Sequence, residues 1–139
     1  MKIQIYDLYP RDDPRLLADA LRQLYRNPVA IDALLPEDGA FIIVAKARLL
    51  LKKVVVGALS YRYEKPGLKV INIGTIKPGL GIGTALMNHI EQYVAGAGLW
   101  KPTGHTIWLK ATPTAVGFYD KLGFKAVSAL SDGRIVMER

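Results

Sequence analysis

The chain has 139 residues, of which 50% are hydrophobic, and this length is typical of a single domain, here predicted over residues 1–139. It contains no cysteine, which excludes disulfides, thiolate metal sites and cysteine nucleophiles. The net charge of +7 is spread along the chain with no basic block longer than Lys52-Lys53, so specific nucleic-acid binding is not predicted, whereas a polyanionic cofactor would be attracted.

The N-terminal part of the chain predicts a strand followed by a helix. Lys2 to Leu8 alternates between polar and apolar residues, as a strand does. Asp13 precedes Pro14 and an apolar stripe that runs to Leu24, which predicts a helix capped by Asp13. A weaker helical turn is predicted over Val29 to Leu35. Charged residues interrupt the apolar stretches, so we predict no export signal and expect the protein in the cytoplasm.

The next part of the chain is predicted to form three adjacent strands in an antiparallel meander. Their predicted ranges are Phe41 to Lys46, Val54 to Tyr63 and Leu68 to Ile76. The connection from Ala47 to Lys53 contains no turn residue, so the strand ends there stay open. The apolar region 41–59 is not predicted to span a membrane, because its lysines and arginines would each cost roughly 2.5–3.5 kcal/mol at the bilayer centre.

The C-terminal half alternates helices and strands. Apolar residues recur at three- and four-residue spacing from Ile82 to Ala97, which predicts a helix with one buried face, and Gly96 and Gly98 end it. The remaining predicted elements are a strand, a helix and two strands, over Thr106 to Ala111, Pro113 to Lys121, Phe124 to Leu130 and Arg134 to Glu138.

A glycine-rich loop, Gly79 to Thr84, joins the fourth predicted strand to the long helix. Backbone N–H groups converge there on the positive end of the helix dipole, which favours an anion site. No lysine precedes Thr84, so the P-loop pattern is absent. The dinucleotide motif also fails, because Leu86 and Thr84 occupy the third glycine position in the frames that start at Gly81 and Gly79. Phosphate binding and a merely tight turn both stay open from this loop alone.

Taken with the later segment from Ala115 to Phe124, the loop resembles the GCN5-related N-acetyltransferase (GNAT) superfamily. In that family a Gln/Arg-x-x-Gly-x-Gly/Ala motif grips the coenzyme A pyrophosphate, and a later helix with Ala-x-x-x-Tyr leads to Leu-Gly-Phe. Both elements occur here in the right order and spacing, between Val70 and Phe124. The resemblance implies an α/β (α+β) fold, with a mixed, mostly antiparallel sheet of six to seven strands flanked by helices. It also implies transfer of an acetyl group from acetyl-coenzyme A to a primary amine by direct attack.

The resemblance implies roles for particular residues. A first group would hold the pantetheine arm, polarise the thioester or bind the pyrophosphate: Gly74, Thr75, Ile76, Gly79, Leu80, Gly81, Ile82, Gly83, Thr84 and Thr112. Thr112 stands where an asparagine is common, and its alternative role is to cap the following helix. Tyr119 matches the tyrosine that protonates the departing thiolate, and its alternative role is an aromatic core residue. Phe118 and Phe124 are predicted to lie in the core.

Two features depart from the family pattern. Pro78 stands where the family usually has Gln or Arg, and the fourth strand, Leu68 to Ile76, carries no carboxylate to act as general base. Glu64 or a water held by Asn72 stays open as the base. The two histidines, His89 and His105, are too far apart in the sequence to predict a metal site.

Three functions are compatible with this pattern. The favoured one is an acetyl-coenzyme A-dependent N-acetyltransferase with an unidentified amine acceptor. The others are a non-catalytic regulatory domain that binds acetyl-coenzyme A and, less favoured, a basic nucleic-acid-binding domain. A homodimer through the last strands and a monomer both fit the sequence.

Overall fold

A seven-stranded sheet with helices on both faces forms the molecule, and the strand order is β1-β2-β3-β4-β5-β7-β6. The computed structural model describes residues 2–8, 14–24, 34, 40–49, 51–65, 67–76, 79–96 and 106–139. The strands are β1 (Ile3–Leu8), β2 (Phe41–Leu49), β3 (Lys52–Glu64), β4 (Gly67–Thr75), β5 (Thr106–Ala111), β6 (Lys125–Ala129) and β7 (Ile135–Glu138). The helices are α1 (Pro14–Leu24), α2 (Ile82–Gly96) and α3 (Val116–Lys121), and a 3-10 turn at Pro113–Ala115 precedes α3.

The predicted fold class is confirmed. All neighbouring strands pair antiparallel except β4 and β5, which run parallel, so the sheet is mixed and mostly antiparallel. The predicted helical turn over Val29 to Leu35 lies outside the described residues except for Leu34, which is buried. No described helix combines the length and the apolar character that crossing a membrane would require.

The β2–β3 hairpin is longer than the sequence pattern predicts. β2 continues to Leu49, which pairs with Lys52, so only two residues connect the strands. The register shifts between Ala45 and Lys46, and such a bulge breaks the alternation from which strand ends are predicted. Pairing with β1 extends to Ala47, so neighbouring strands hold this part of the hairpin in place of a favourable turn sequence.

Each face of the sheet carries part of the core. On one face α2 buries Ile82, Leu86 and Ile90 against the strands, and complete burial of such a side chain stabilises the fold by about 1.5–3 kcal/mol. On the other face α1 buries Ala20 against β2 and β3. The packing of Ile82, the first residue of α2, fixes the N-terminus of this helix beside the end of β4.

β4 and β5 pair only briefly before they separate. Gly67 to Lys69 pair with Thr106 to Trp108, whereas β4 continues to Thr75 beyond this pairing with β5. β4 and β5 come so close at their paired end that residue 67 must be a glycine. A Cβ at Gly67 would lie 1.9 Å from the Thr106 carbonyl oxygen. The divergence leaves a cleft between the C-terminal halves of the two strands.

Candidate active site

A cavity of about 430 Å³ occupies the cleft between β4 and β5. β4 forms one wall from Ile71 to Thr75, and β5 contributes Lys110 and Ala111 to the other. Phe118 and Tyr119 of α3 complete the lining. The separation of two parallel strands therefore opens a slot that is bordered by the diverging strands and by an aromatic pair.

A second cavity, of about 520 Å³, lies over the glycine loop. The loop residues from Gly79 to Thr84 line one side, and Gly117, Lys121 and Leu122 of the α3 region line the other. Thr75 and Phe118 line both cavities, so the two are adjacent. The exposed glycine loop and the cleft are therefore neighbours on the surface of the molecule.

The loop conformation requires glycine at two positions. Gly79 has φ of 82° and Gly81 has φ of 76°, a region that residues with a side chain rarely adopt. A Cβ at either position would meet no atom within 4 Å, so the backbone conformation, and not packing, demands glycine. The same open space leaves room for a ligand against the backbone.

The N-terminus of α2 presents hydrogen-bond donors to this cavity. The first helical bond runs from the Ala85 N–H to the Gly81 carbonyl, at 3.0 Å. The N–H groups of Ile82, Gly83 and Thr84 therefore have no partner within the helix, and they lie at the positive end of its dipole. With Lys121 across the cavity, the arrangement suits a negatively charged group.

The edge of β4 that faces the cleft carries further donors. The Ile76 N–H donates to the Val56 carbonyl of β3 at 2.9 Å, so this group is occupied. Because successive N–H groups of a strand point to opposite edges, those of Thr75 and Ile73 point towards the cleft, and that of Gly74 points to β3. Gly74 and Thr75 line the first cavity, whereas Ile76 is exposed and lines neither cavity.

Tyr119 is held by its backbone and by its ring. Its carbonyl accepts hydrogen bonds from the N–H groups of Leu122 and Phe124, at 3.0 and 3.1 Å. Its ring meets Phe118 and Phe124 edge-on, with ring centres 5.2 and 5.8 Å apart. Burial raises the pKa of Tyr119 above its ordinary value of 10.0, so the phenol stays protonated at neutral pH. A fixed, protonated phenol beside the cleft can donate a proton.

Thr112 lies at the entrance to the 3-10 turn and lines the first cavity. Its hydroxyl lies 3.2 Å from the hydroxyl of Thr114, and its side chain makes no capping hydrogen bond to the turn. The structure therefore brings Thr112 together with Gly74, Thr75 and Tyr119 in one cavity.

The candidates for a general base lie in different parts of the molecule. Glu64 lies at the opposite end of the sheet, where Lys69 and Arg62 contact it at 3.4 and 3.3 Å. Burial would raise the pKa of Glu64, but the charges and hydrogen bonds of Lys69 and Arg62 outweigh this effect and lower it. His89 bonds to Tyr93, and neither Glu64 nor His89 lines the two cavities. Asn72 does line the cleft.

The sequence analysis assigned Phe118 wrongly and did not identify two lysines that line the site. The prediction that Phe118 lies in the core is wrong, since it is 37% exposed and lines both cavities, whereas Phe124 is fully buried as predicted. Lys110 and Lys121 were not predicted to line the site. Gly117 and Lys121 are four residues apart and therefore lie on one face of α3. This spacing indicates that Lys121 lines the site only when that face of the helix is known to oppose the glycine loop.

Acidic groups are rare in this region. Among the described residues that line the two cavities, none is a carboxylate or a histidine. Across the described ranges, no three His, Asp or Glu side chains lie together in a way that would hold a metal ion.

The fold is shared with solved structures that have little sequence in common with this chain. A domain from Methanocaldococcus jannaschii DSM 2661 has a TM-score of 0.66 and 13% identity, over 99% of this chain and 97% of that one. An aminoglycoside 6'-N-acetyltransferase complexed with coenzyme A has a TM-score of 0.65 and 19% identity, over 100% and 96%. The PaiA N-acetyltransferase from Thermoplasma acidophilum, in complex with coenzyme A, has a TM-score of 0.64 and 15% identity, over 100% and 99%. At these identities the similarity establishes the fold.

Sequence comparison places the chain in a family. No curated protein matches it significantly. Residues 22–133, however, match the family described as the acetyltransferase (GNAT) domain, a range that contains the glycine loop and the Ala115 to Phe124 segment. The resemblance drawn from those two motifs is confirmed, and the chain belongs to the GNAT acetyltransferase family.

Proposed function

We propose that this protein transfers an acetyl group from acetyl-coenzyme A to a primary amine. The observation that carries the proposal is that two cavities with different chemistry are adjacent and share Thr75 and Phe118 in their linings. The cavity over the glycine loop offers backbone donors and a helix dipole to a pyrophosphate. The cleft offers a strand edge to the pantetheine arm and a phenol to the thioester sulfur. A long ligand with phosphates in one part and a thioester at its end would occupy both cavities.

The pyrophosphate would be held mainly by backbone groups. The donors are the N–H groups of Ile82, Gly83 and Thr84, and the exposed Thr84 side chain adds a hydroxyl. Lys121 supplies a positive charge from the facing helix. The left-handed glycines and the open space above them allow phosphate oxygens to approach the amides.

The transfer requires attack on the thioester carbon and release of the thiolate. The amine nitrogen forms a bond to the carbonyl carbon while the carbon–sulfur bond breaks, and Tyr119 gives its proton to the departing sulfur. The Ile73 N–H, which points away from β3 and towards the cleft, would stabilise negative charge on the carbonyl oxygen. The nitrogen would release its proton to water. Positioning of the amine supplies much of the acceleration.

Cofactor binding is tested by thermal unfolding with increasing acetyl-coenzyme A. A ligand at about 100 times its Kd stabilises the folded state by about 2.7 kcal/mol, which raises the Tm by roughly 10 °C for a domain of this size. Gly83→Glu is expected to abolish the shift, since its carboxylate would point into the anion site. Gly83→Ala is the matched control: its Cβ would lie 3.5 Å from Leu122, an ordinary contact, so binding should persist. No shift at millimolar cofactor would refute the proposal.

Turnover is measured by release of free coenzyme A thiol with a panel of primary amines. Thiol release that depends on both the amine and the enzyme, and that is lost in Gly83→Glu, is expected. One observation favours a second candidate, a non-catalytic acetyl-coenzyme A-binding regulator: no acidic group lies among the described cleft residues. A full cofactor-dependent Tm shift without turnover on any amine would support that candidate.

A further inference from the structure

Another cavity, of about 260 Å³, lies near the turn of the β2–β3 hairpin. Residues of β1, β2 and β3, which are neighbours in the sheet, form its wall together with the residue just before β1. It shares no described lining residue with the cleft or the loop cavity. We name it the basic cavity, and its described lining consists of Ala47 and five residues with polar or charged side chains: Lys2, Gln4, Lys46, Arg48 and Lys53.

The strand register places these side chains on one face of the sheet. Gln4 lies directly opposite Lys46, and Arg48 lies directly opposite Lys53. Residues that oppose each other in an antiparallel pair share a face. Ala47 belongs to the core beneath α2, so its neighbours Lys46 and Arg48 lie on the other face, because successive side chains of a strand alternate. The basic cavity is therefore on the face of the sheet opposite α2 and the glycine loop.

The four cations of this cavity have no acidic partner among the described residues. Lys2, Lys46, Arg48 and Lys53 take part in none of the ion pairs there, and the described lining contains no aspartate or glutamate. Lys46 Nζ lies 5.7 Å from the centre of the Tyr6 ring, a contact that does not neutralise its charge. Like charges directly opposite each other on two strands, as in Arg48 and Lys53, are destabilising. An anion between these cations would relieve their repulsion.

Gln4 adds an oriented amide to the same cavity. Its Oε1 accepts hydrogen bonds from Lys53 Nζ at 2.9 Å and from the Tyr6 hydroxyl at 2.8 Å. A lysine ammonium can only donate, so the amide atom that faces it is the carbonyl oxygen, and the NH2 group of Gln4 remains as a donor. The bond also holds Lys53 beside Gln4. The cavity therefore combines cations with a fixed neutral donor, and both kinds of group bind oxygen anions.

We propose that the basic cavity binds a small anion with two or three linked phosphate groups. Neighbouring strands are about 4.8 Å apart, so cations on three strands are spread over about 10 Å, which is more than a single phosphate spans. The guanidinium of Arg48 can bind two phosphate oxygens at once, and the lysines act as point charges. A volume of about 260 Å³ suits a small ligand and not a nucleic-acid strand. The site is separate from the acetyl-transfer cleft, and its occupation does not depend on acetyl-coenzyme A.

The probe is inorganic triphosphate, and the comparison ligand is inorganic phosphate. Binding is measured by isothermal titration calorimetry at constant ionic strength, without magnesium and without acetyl-coenzyme A, so failure of the proposed acetyl transfer does not affect the result. We expect saturable binding of triphosphate and at least about tenfold weaker binding of phosphate. Equal binding of both would show only a general attraction of anions and would overturn the proposal, as would no triphosphate binding at millimolar concentration.

Two substitutions locate the site. Arg48→Gln and Lys53→Gln each remove one cation and keep a polar side chain, and each should weaken triphosphate binding by about tenfold or more. The matched controls are Arg15→Gln on α1 and Lys125→Gln on β6, which change exposed cations outside the cavity and should bind triphosphate as the parent protein does. The glycine loop also attracts phosphates, so Gly83→Glu is titrated as well. Loss of binding in Gly83→Glu would assign the probe to the loop and overturn the proposal.

Folding of the variants is verified from their Tm. Arg48→Gln and Lys53→Gln each remove one of two opposed like charges, so their Tm without anion should equal or exceed that of the parent protein, while the rise of Tm with triphosphate should shrink. Unchanged triphosphate binding in either folded variant would place the anion elsewhere and overturn the assignment. Equally tight binding of a DNA duplex that is lost in the same variants would identify a surface for nucleic-acid backbones and overturn a small ligand.

Discussion

At the scale of single residues, Tyr119 is the proposed proton donor of the cleft. Tyr119→Phe removes only the hydroxyl and keeps the ring that contacts Phe118 and Phe124. Loss of the proton donor should lower kcat by roughly a hundredfold. The shift of Tm with acetyl-coenzyme A should stay the same, because the glycine loop is unaltered. Equal kcat values for the variant and the parent protein would show that Tyr119 has only a packing role.

The pH profile gives an independent readout of the same residue. Burial raises the pKa of Tyr119 above 10.0, so the acid form persists at neutral pH and is lost only as the pH rises through that higher value. The parent enzyme should therefore show an alkaline decline in kcat that begins above about pH 10, provided that the protein stays folded there. Tyr119→Phe should lack this decline.

Glu64, which the sequence left open as a general base, is expected to have a structural role and no catalytic one. It lies about 26 Å from the glycine loop, since β4 spans eight steps of about 3.3 Å between Gly67 and Thr75. Glu64→Gln should leave kcat unchanged. It should cost up to about 1 kcal/mol of stability at neutral pH, as the ion pairs are partly exposed.

The pH dependence of that stability loss follows from the direction of the pKa shift. The pKa of Glu64 is lowered in the folded state, so its contribution is complete above its ordinary value of 4.5 and is lost as the pH falls through the lowered value. Urea unfolding of the parent protein and of Glu64→Gln should differ at pH 7 and converge under acid conditions. A large drop in kcat would instead identify Glu64 as a base that acts through a route the cleft does not show.

At the scale of elements, the short parallel pairing of β4 and β5 determines the shape of the site. Gly67→Ala would place a Cβ 1.9 Å from a backbone oxygen that cannot move independently of β5. We expect a loss of stability of about 3 kcal/mol or more, together with weaker acetyl-coenzyme A binding as the strands are forced apart. Gly117→Ala is the control, because its Cβ would meet nothing within 4 Å and alanine favours the helix. Equal Tm values for the two variants would contradict this account.

The sequence predicts these elements to different degrees. The loop and α2 are predicted correctly because local signals define them: glycines before Ile82 and apolar residues at helical spacing. The β2–β3 hairpin is predicted too short, because pairing with β1 holds its end in place and a bulge after Ala45 breaks the alternation, and neither is visible in a local pattern. The contact between β4 and β5 is only three residue pairs long, and it depends on residues from Thr106 onwards that are distant in the sequence, so no local pattern predicts it.

At the scale of the whole molecule, contacts join the two halves of the sheet across the cleft. α2 packs on strands from β1 to β5, so one helix spans the divergence. The chain terminus adds a second link: the Arg139 backbone pairs with Ile107, and its guanidinium contacts Asn88 and Glu91 of α2 at 3.1 and 3.0 Å. The single domain predicted over residues 1–139 requires such links, since the direct pairing of β4 with β5 is short.

A single cooperative unfolding transition follows from that architecture. The N-terminal strands belong to both halves of the core, since β2 and β3 contribute residues to each face, and α2 ties them to β5. Urea unfolding of a Trp100→Phe variant, followed by far-UV circular dichroism, which reports mainly the helices, and by the fluorescence of the remaining Trp108 on β5, should give coincident curves. The slope should be about 1–3 kcal/mol per molar urea, as for other small domains. Separate transitions would mean that the β5–β7–β6 part unfolds by itself, and the cleft would then be a boundary between two units.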